Sequence, residues 1–165
     1  MQAMPRVLKE IPSAIFVIYG DGIEKASLRA LAQRLGILEK VKFEPWVKDV
    51  PGALRNLDVF VMPSHREGLP ITLLQAMSVG RLCVASDIDG IRDIIQNGVD
   101  GILVGTADER SFADAIISVC RSASGAAVMG MAAAEKVRVN FNIEREALEI
   151  KKLYLETLAS DVIFP

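Results

Sequence analysis

The chain has 165 residues and a mass of 17.9 kDa, enough for one domain with its own core and too short for two unrelated full-size domains. Nineteen Lys and Arg against 21 Asp and Glu leave a net charge of −2, which excludes a global field for nucleic acid or anionic lipid, so phosphate would need a local site. Hydrophobic residues at 51% and charged ones at 24% exclude intrinsic disorder.

In chain order, short β-branched runs alternate with segments of helical period, the pattern of βα units around a parallel sheet. Met1 to Glu10 reads as the second half of a helix with no strand before it, so the chain is expected to start in mid-domain. Ala14 to Tyr19, Val41 to Glu44, Asp58 to Met62, Leu82 to Ala85 and Gly101 to Val104 read as strands. Ile23 to Leu35 has apolar residues at helical spacing, with Gly36 placed to end it. Pro51 to Asn56 is a short helix, Pro70 opens another that runs to Val79 and closes at Gly80, and Gly90 to Ile95 is a third.

Phe112, Ile116 and Val119 stripe a helix from Asp108 to Arg121, and Ser124 to Val139 is helical despite Gly125 and Gly130. Residues 142–159 read as a terminal amphipathic helix, capped by Asn142, whose stripe of Ile143, Ala147, Ile150, Tyr154 and Leu158 is expected to be core. Cys83 and Cys120, with one histidine and no CxxC, make a zinc site or disulfide scaffold a poor fit and read as small buried hydrophobes in a reducing compartment. No apolar run reaches the roughly 20 residues of a membrane span, and no basic-then-apolar leader follows Met1, so a cytoplasmic protein is expected. There is no internal repeat or linker.

Two motifs can carry chemistry. Gly20-Asp21-Gly22 ends a strand and precedes a helix, which suits either close backbone approach to a phosphate or a tight turn needing positive φ. The run from Pro63 to Met77 is more informative, because it follows a strand whose C-terminal end, in an open parallel sheet, faces the ligand crevice. Glu67 lies on that loop, Gly68 permits close approach, Pro70 starts a helix with free amides, and Gln75 is about 7.5 Å further along its axis. One ligand of nucleotide-sugar size could touch both ends.

The succession of Gly20-Asp21-Gly22, Asp58 to Ser64, Glu67-Gly68-Leu69-Pro70, Leu74 to Met77, Asp89 to Ile95, Asn97-Gly98 and Gly101 to Val104 resembles the C-terminal, donor-binding domain of retaining GT-B glycosyltransferases of the glycosyltransferase 4 family. The resemblance covers nearly the whole chain. It implies a Rossmann-like α/β domain over residues 1–165, N-terminally truncated and lacking its first strand, that binds a nucleotide diphosphate sugar and passes the sugar to a glycan or lipid acceptor with retention.

On the same resemblance Glu67 is the catalytic glutamate that contacts the donor sugar, with Gly20, Gly22, Gly68, Leu69 and Pro70 near sugar and phosphate. Position 75 would hold the ribose hydroxyls, with Gln75 standing where the family has glutamate. Trp46 and Val47 match the loop that frames the base, where Trp46 either stacks or packs at the rim. The donor would be a UDP-, GDP- or ADP-sugar, without cofactor, metal or nucleic acid. On this resemblance the family's Arg and Lys clamp and its acceptor domain are expected to be missing from this chain, and any peripheral membrane contact would belong to that domain. The isolated chain is expected to be inactive.

His65 and Arg66 read as exposed loop residues, and Asp87 and Asp89 as turn formers. The alternatives are a noncatalytic flavodoxin-like module that binds nucleotide or protein, and a GT-B nucleotide-sugar epimerase. The lost strand is expected to leave the first and third predicted strands facing each other across a gap or forced into direct pairing.

Overall fold

The computed structural model describes residues 1–159. Among these residues eight α-helices and five strands follow the expected alternation: α1 Met4–Glu10, β1 Phe16–Tyr19, α2 Lys25–Arg34, β2 Val41–Glu44, α3 Val50–Arg55, β3 Val59–Met62, α4 Ile71–Ser78, β4 Leu82–Ser86, α5 Asp89–Arg92, β5 Ile102–Val104, α6 Glu109–Arg121, α7 Ala123–Asn140 and α8 Ile143–Ala159. Boundaries move by a few residues, the largest changes being a later start for β1 and an earlier start and end for α5. Caps and breakers act as their chemistry predicts: Gly36 and Gly80 end α2 and α4 at positive φ, Asp108 Oδ1 accepts from the Ser111 N–H, and Asn142 Oδ1 accepts from the Glu144 N–H.

All pairing is parallel, in two separate sheets: β1 beside β2, with Phe16 opposite Val41, and β3–β4–β5, with Val59 opposite Leu82 and Val84 opposite Ile102. Every residue of β4 is buried, as expected of a parallel strand covered on both faces. Its side chains alternate between layers. Cys83 and Ala85 pack with Leu73, Met77, Ala133 and Val137 of α4 and α7, while Leu82 and Val84 pack with Phe112 and Val119 of α6.

No strand lies between β1 and β3 among the described residues, and a cavity of about 1520 Å³ is lined by Phe16 and Ile18 of β1, Val59 and Val61 of β3, and Val7 and Ile116. Of the two outcomes expected for a missing strand, the gap is the one found. Helix α1 bridges it. Val7 packs with Ile116 and Ile117 of α6, Met4 and Leu8 pack toward Ala32 and Val41, and Arg6–Asp114 and Arg121–Glu10 ion pairs, both 2.6 Å, flank the contact with α6.

Two expectations are corrected. Cys83 is buried, and burial pushes its thiol up to about 12, so it stays protonated. Cys120 instead is exposed and lines the cavity, because it lies at the edge of the α6 stripe where no strand covers it. The α8 stripe is not core: Ile143, Ile150, Tyr154 and Leu158 are all exposed, as is every residue from 143 to 158, so no other element among the described residues covers that face. Amphipathic period records a face able to pack without naming its partner.

Helix α7 is held by two contacts that sequence spacing does not reveal. Lys136 Nζ donates to Asp100 Oδ2 at 2.8 Å, and Asp100, almost fully buried, also accepts from the Gln96 N–H at 2.7 Å. Gly130 lies against the Gly80 carbonyl, where a Cβ would overlap the oxygen. Gly130→Ala is therefore expected to lower stability by roughly 1–3 kcal/mol, read as a fall in thermal midpoint. Gly125→Ala, which meets only the end of the Ser122 side chain, should leave stability unchanged or raise it by up to about 1 kcal/mol.

Candidate functional site

Parallel pairing places the C-terminal ends of the strands on one edge within each sheet, so the loops after them gather there. After β1, Gly20 takes φ +129, a conformation side chains rarely adopt, and its N–H extends the pairing to the Glu44 carbonyl at 3.0 Å. Gly22 has no such φ and nothing near its Cβ position, so only the first glycine is required by the turn.

Asp21 joins this loop to the one after β2. Its Oδ1 accepts from Lys25 Nζ at 2.8 Å and its Oδ2 from the Trp46 backbone N–H at 3.1 Å. The Lys25 hydrogen bond first, then the Trp46 N–H, hold the carboxyl below the usual aspartate range. Trp46 is two-thirds exposed, and with Val47, Tyr19, His65 and Thr72 it lines the end of the cavity between β1 and β3.

The loop after β3 carries the second group. Glu67 is half-buried, with Oε1 accepting from Ser64 Oγ at 2.8 Å. Gly68 and Leu69 are exposed; Pro70 is buried, caps α4 and has no N–H, so among the expected backbone contacts it can offer no hydrogen bond. The first turn of α4 compensates. Among the described residues no side chain caps it and the Ile71 and Thr72 N–H groups have no partner, leaving two donors at the positive end of the helix. Gln75 is half-buried on α4 and its amide makes no hydrogen bond within the described residues.

The third loop, after β4, supports the second. Asp87 donates its N–H to the Val104 carbonyl at 2.7 Å, and Arg92 binds Asp87 at 2.6 Å and Asp89, the first residue of α5, at 3.0 Å, so both carboxylates are paired with a cation. Gly90 lies directly against the Glu67 and Gly68 carbonyls. His65 and Arg66 are exposed. Among the described residues no group of three or more His, Cys, Asp or Glu side chains is placed to hold a metal, and no single helix is long and apolar enough to cross a membrane.

The structure thus brings the expected residues into two sets. Asp21 ties the Gly20–Gly22 loop to Trp46, and the β3 loop places Glu67 and Gly68 just before the free amides of α4. No hydrogen bond or ion pair joins the two sets among the described residues. The free amides at the start of the helix that Pro70 opens are expected from the sequence, and the contacts of Ser64 and Gly90 with the Glu67 loop are not. Proline before a helix signals the free amides, whereas the Gly90 contact depends on tertiary approach.

Residues 1–122 match the family model described as glycosyl transferases group 1. The chain belongs to this family. It is 32% identical over 151 residues to the UDP-Gal:alpha-D-GlcNAc-diphosphoundecaprenol alpha-1,3-galactosyltransferase of Escherichia coli, covering 91% of this chain and 39% of that protein. It is 27% identical over 161 residues to the N-acetyl-alpha-D-glucosaminyl L-malate synthase of Bacillus anthracis, covering 98% and 42%. The chain thus spans about two fifths of the length of these relatives.

Among solved structures it resembles Staphylococcus aureus TarM, crystallised with UDP, at a TM-score of 0.88 and 23% identity over 93% of this chain and 31% of that one. That likeness supports the fold, a Rossmann-like α/β domain corresponding to the C-terminal part of GT-B glycosyltransferases.

The Asp21 bridge can be tested with the single tryptophan. Because the folded carboxyl is depressed, its contribution is complete above the unfolded pKa and is lost as pH falls through the lower folded value. Trp46 fluorescence should therefore change with a midpoint below the roughly 3.9 of a free aspartate. Asp21→Asn should remove that transition.

Proposed function

We propose that this chain is the donor-binding domain of a retaining glycosyltransferase, which takes a UDP-, GDP- or ADP-sugar and transfers the sugar to a glycan or lipid acceptor held by a second domain. The observation that carries this reading is a half-buried carboxylate, Glu67, placed just before an uncapped helix N-terminus at the C-terminal edge of a parallel sheet. A carboxylate is an acceptor for sugar hydroxyls, and free amides with a positive helix end suit the phosphates. Both lie within one loop and one turn.

In this reading Glu67 accepts from hydroxyls of the donor sugar, and the N–H groups of Gly68, Leu69, Ile71 and Thr72 face the diphosphate. The Gly20–Gly22 turn lies near the phosphates, Gln75 pairs with the ribose hydroxyls, and Trp46 with Val47 frames the base. In transfer with retention, the bond from the sugar C1 to the diphosphate oxygen breaks and a bond from C1 to the acceptor oxygen forms on the same face. As the C1–O bond breaks, the departing diphosphate oxygen gains negative charge and takes up the proton that the acceptor hydroxyl releases. Amides already aimed at those oxygens stabilise that charge without reorganising. UDP-galactose is the first donor to test, because it is the donor named for the Escherichia coli relative.

Calorimetry of the 165-residue chain with UDP-galactose and UDP tests the assignment. Glu67→Ala should weaken UDP-galactose by about tenfold, the scale of a charge-assisted hydrogen bond, and UDP much less. Equal losses would overturn the sugar contact. The chain alone should show no transfer, since one wall leaves the reacting bond open to water; measurable turnover would refute that.

Gln75→Glu tests the ribose contact. A carboxylate accepts from both ribose hydroxyls, so the substitution should tighten nucleotide binding by about 1 kcal/mol, less any repulsion from the diphosphate. The comparison belongs in a longer protein that carries both domains. An identical effect on UDP and its 2′,3′-dideoxy analogue would remove residue 75 from the ribose.

A further inference from the structure

The Glu67 backbone and the Glu67 side chain are restrained by different neighbours. Gly90 restrains the backbone. Any Cβ at position 90 would overlap the carbonyl oxygens of Glu67 and Gly68, so the α5 backbone lies directly against these peptide groups. Gly90 does not have positive φ, so glycine is required there for space and not for backbone freedom. The turn that carries Gly90 is itself tied down by the Asp87 N–H to Val104 and by Arg92 to Asp87 and Asp89. With the backbone held, the freedom left at position 67 is that of a long side chain, whose rotamers cost entropy to immobilise.

One group removes that freedom: Ser64 Oγ, three residues earlier in the same loop, donates to Glu67 Oε1 at 2.8 Å in a partly buried setting. The bond engages one carboxylate oxygen and leaves Oε2, with its two lone pairs, to accept from a ligand. We propose that Ser64 is a positioning residue for Glu67, holding the carboxylate in one rotamer before the donor arrives so that Oε2 meets the sugar hydroxyls. The proposal rests on the donor-binding reading above for the identity of the ligand. The restraint itself is a property of the ligand-free chain.

The test uses the 165-residue chain with Ser64→Ala and Ser64→Thr. In the ligand-free proteins, three-bond couplings along the Glu67 side chain should report one rotamer in the parent and in Ser64→Thr, and averaged rotamers in Ser64→Ala. With ligands, Ser64→Ala should weaken UDP-galactose about tenfold and UDP less than about twofold, and Ser64→Thr should recover most of the loss, on the scale of a charge-assisted hydrogen bond.

Couplings unchanged by Ser64→Ala would overturn the proposal whatever the ligands do. Equal loss of UDP and UDP-galactose would overturn it too, as the signature of a general disturbance of the loop. If the couplings respond as expected but the parent binds UDP-galactose no better than UDP, the donor-sugar reading fails and the restraint by Ser64 stands.

Discussion

Parallel pairing is the constraint on which this structure depends. Strands that run the same way cannot be joined by tight turns, so each pair needs a crossover, and the helices that make the crossovers cover the sheet on both faces. Strand β4 shows the result: five buried residues with alternate side chains given to α4 and α7 on one face and α6 on the other. The same geometry sends the strand ends to one edge of each sheet, which is why residues as far apart as Glu67 and Gly90 come into contact.

Backbone approach recurs as the means of fixing parts to each other. Gly130 lets α7 close on the turn after α4, and Gly90 lets the α5 turn close on the Glu67 loop; in both places a carbonyl occupies the space that a side chain would need. Such contacts are stiff, because a displaced peptide group has no rotamers to retreat into. Charged side chains then secure what the glycines bring close, Lys136 on Asp100 for α7 and Arg92 on Asp87 for the α5 turn. The buried pair with Asp100 matters more than the exposed one, since water screens the latter.

The two half-sheets are joined differently. Between β1 and β3 there is a cavity in place of a strand ladder, and α1 crosses it with Val7 on α6 and Leu8 toward α2 and β2. The loop set on the β1–β2 side, with Asp21 and Trp46, and the set on the β3–β4 side, with Glu67 and Gly90, are each internally bonded but not bonded to one another among the described residues. A ligand that reached from a base beside Trp46 to a sugar beside Glu67 would be the bridge between them.

Local chemistry made much of this legible in the sequence. Alternating β-branched runs and helical periods gave the element order, Gly36 and Gly80 marked helix ends because left-handed φ is cheap only for glycine, and proline at position 70 marked a helix start with unused amides. The run from Glu67 to Met77 carried the family resemblance for the same reason: its residue types at that spacing are a local arrangement on one loop and one helix. What depends on who packs against whom was not legible. The stripe on α8 looked like core and is exposed, Cys120 looked buried and faces a cavity, and nothing in the local pattern tells that Gly90 meets the Glu67 carbonyl or that Asp100 meets Lys136. The physical reason is that period and propensity are set by neighbours along the chain, whereas burial and close backbone approach are set by neighbours across it, which exist only once the helices have closed on the sheet.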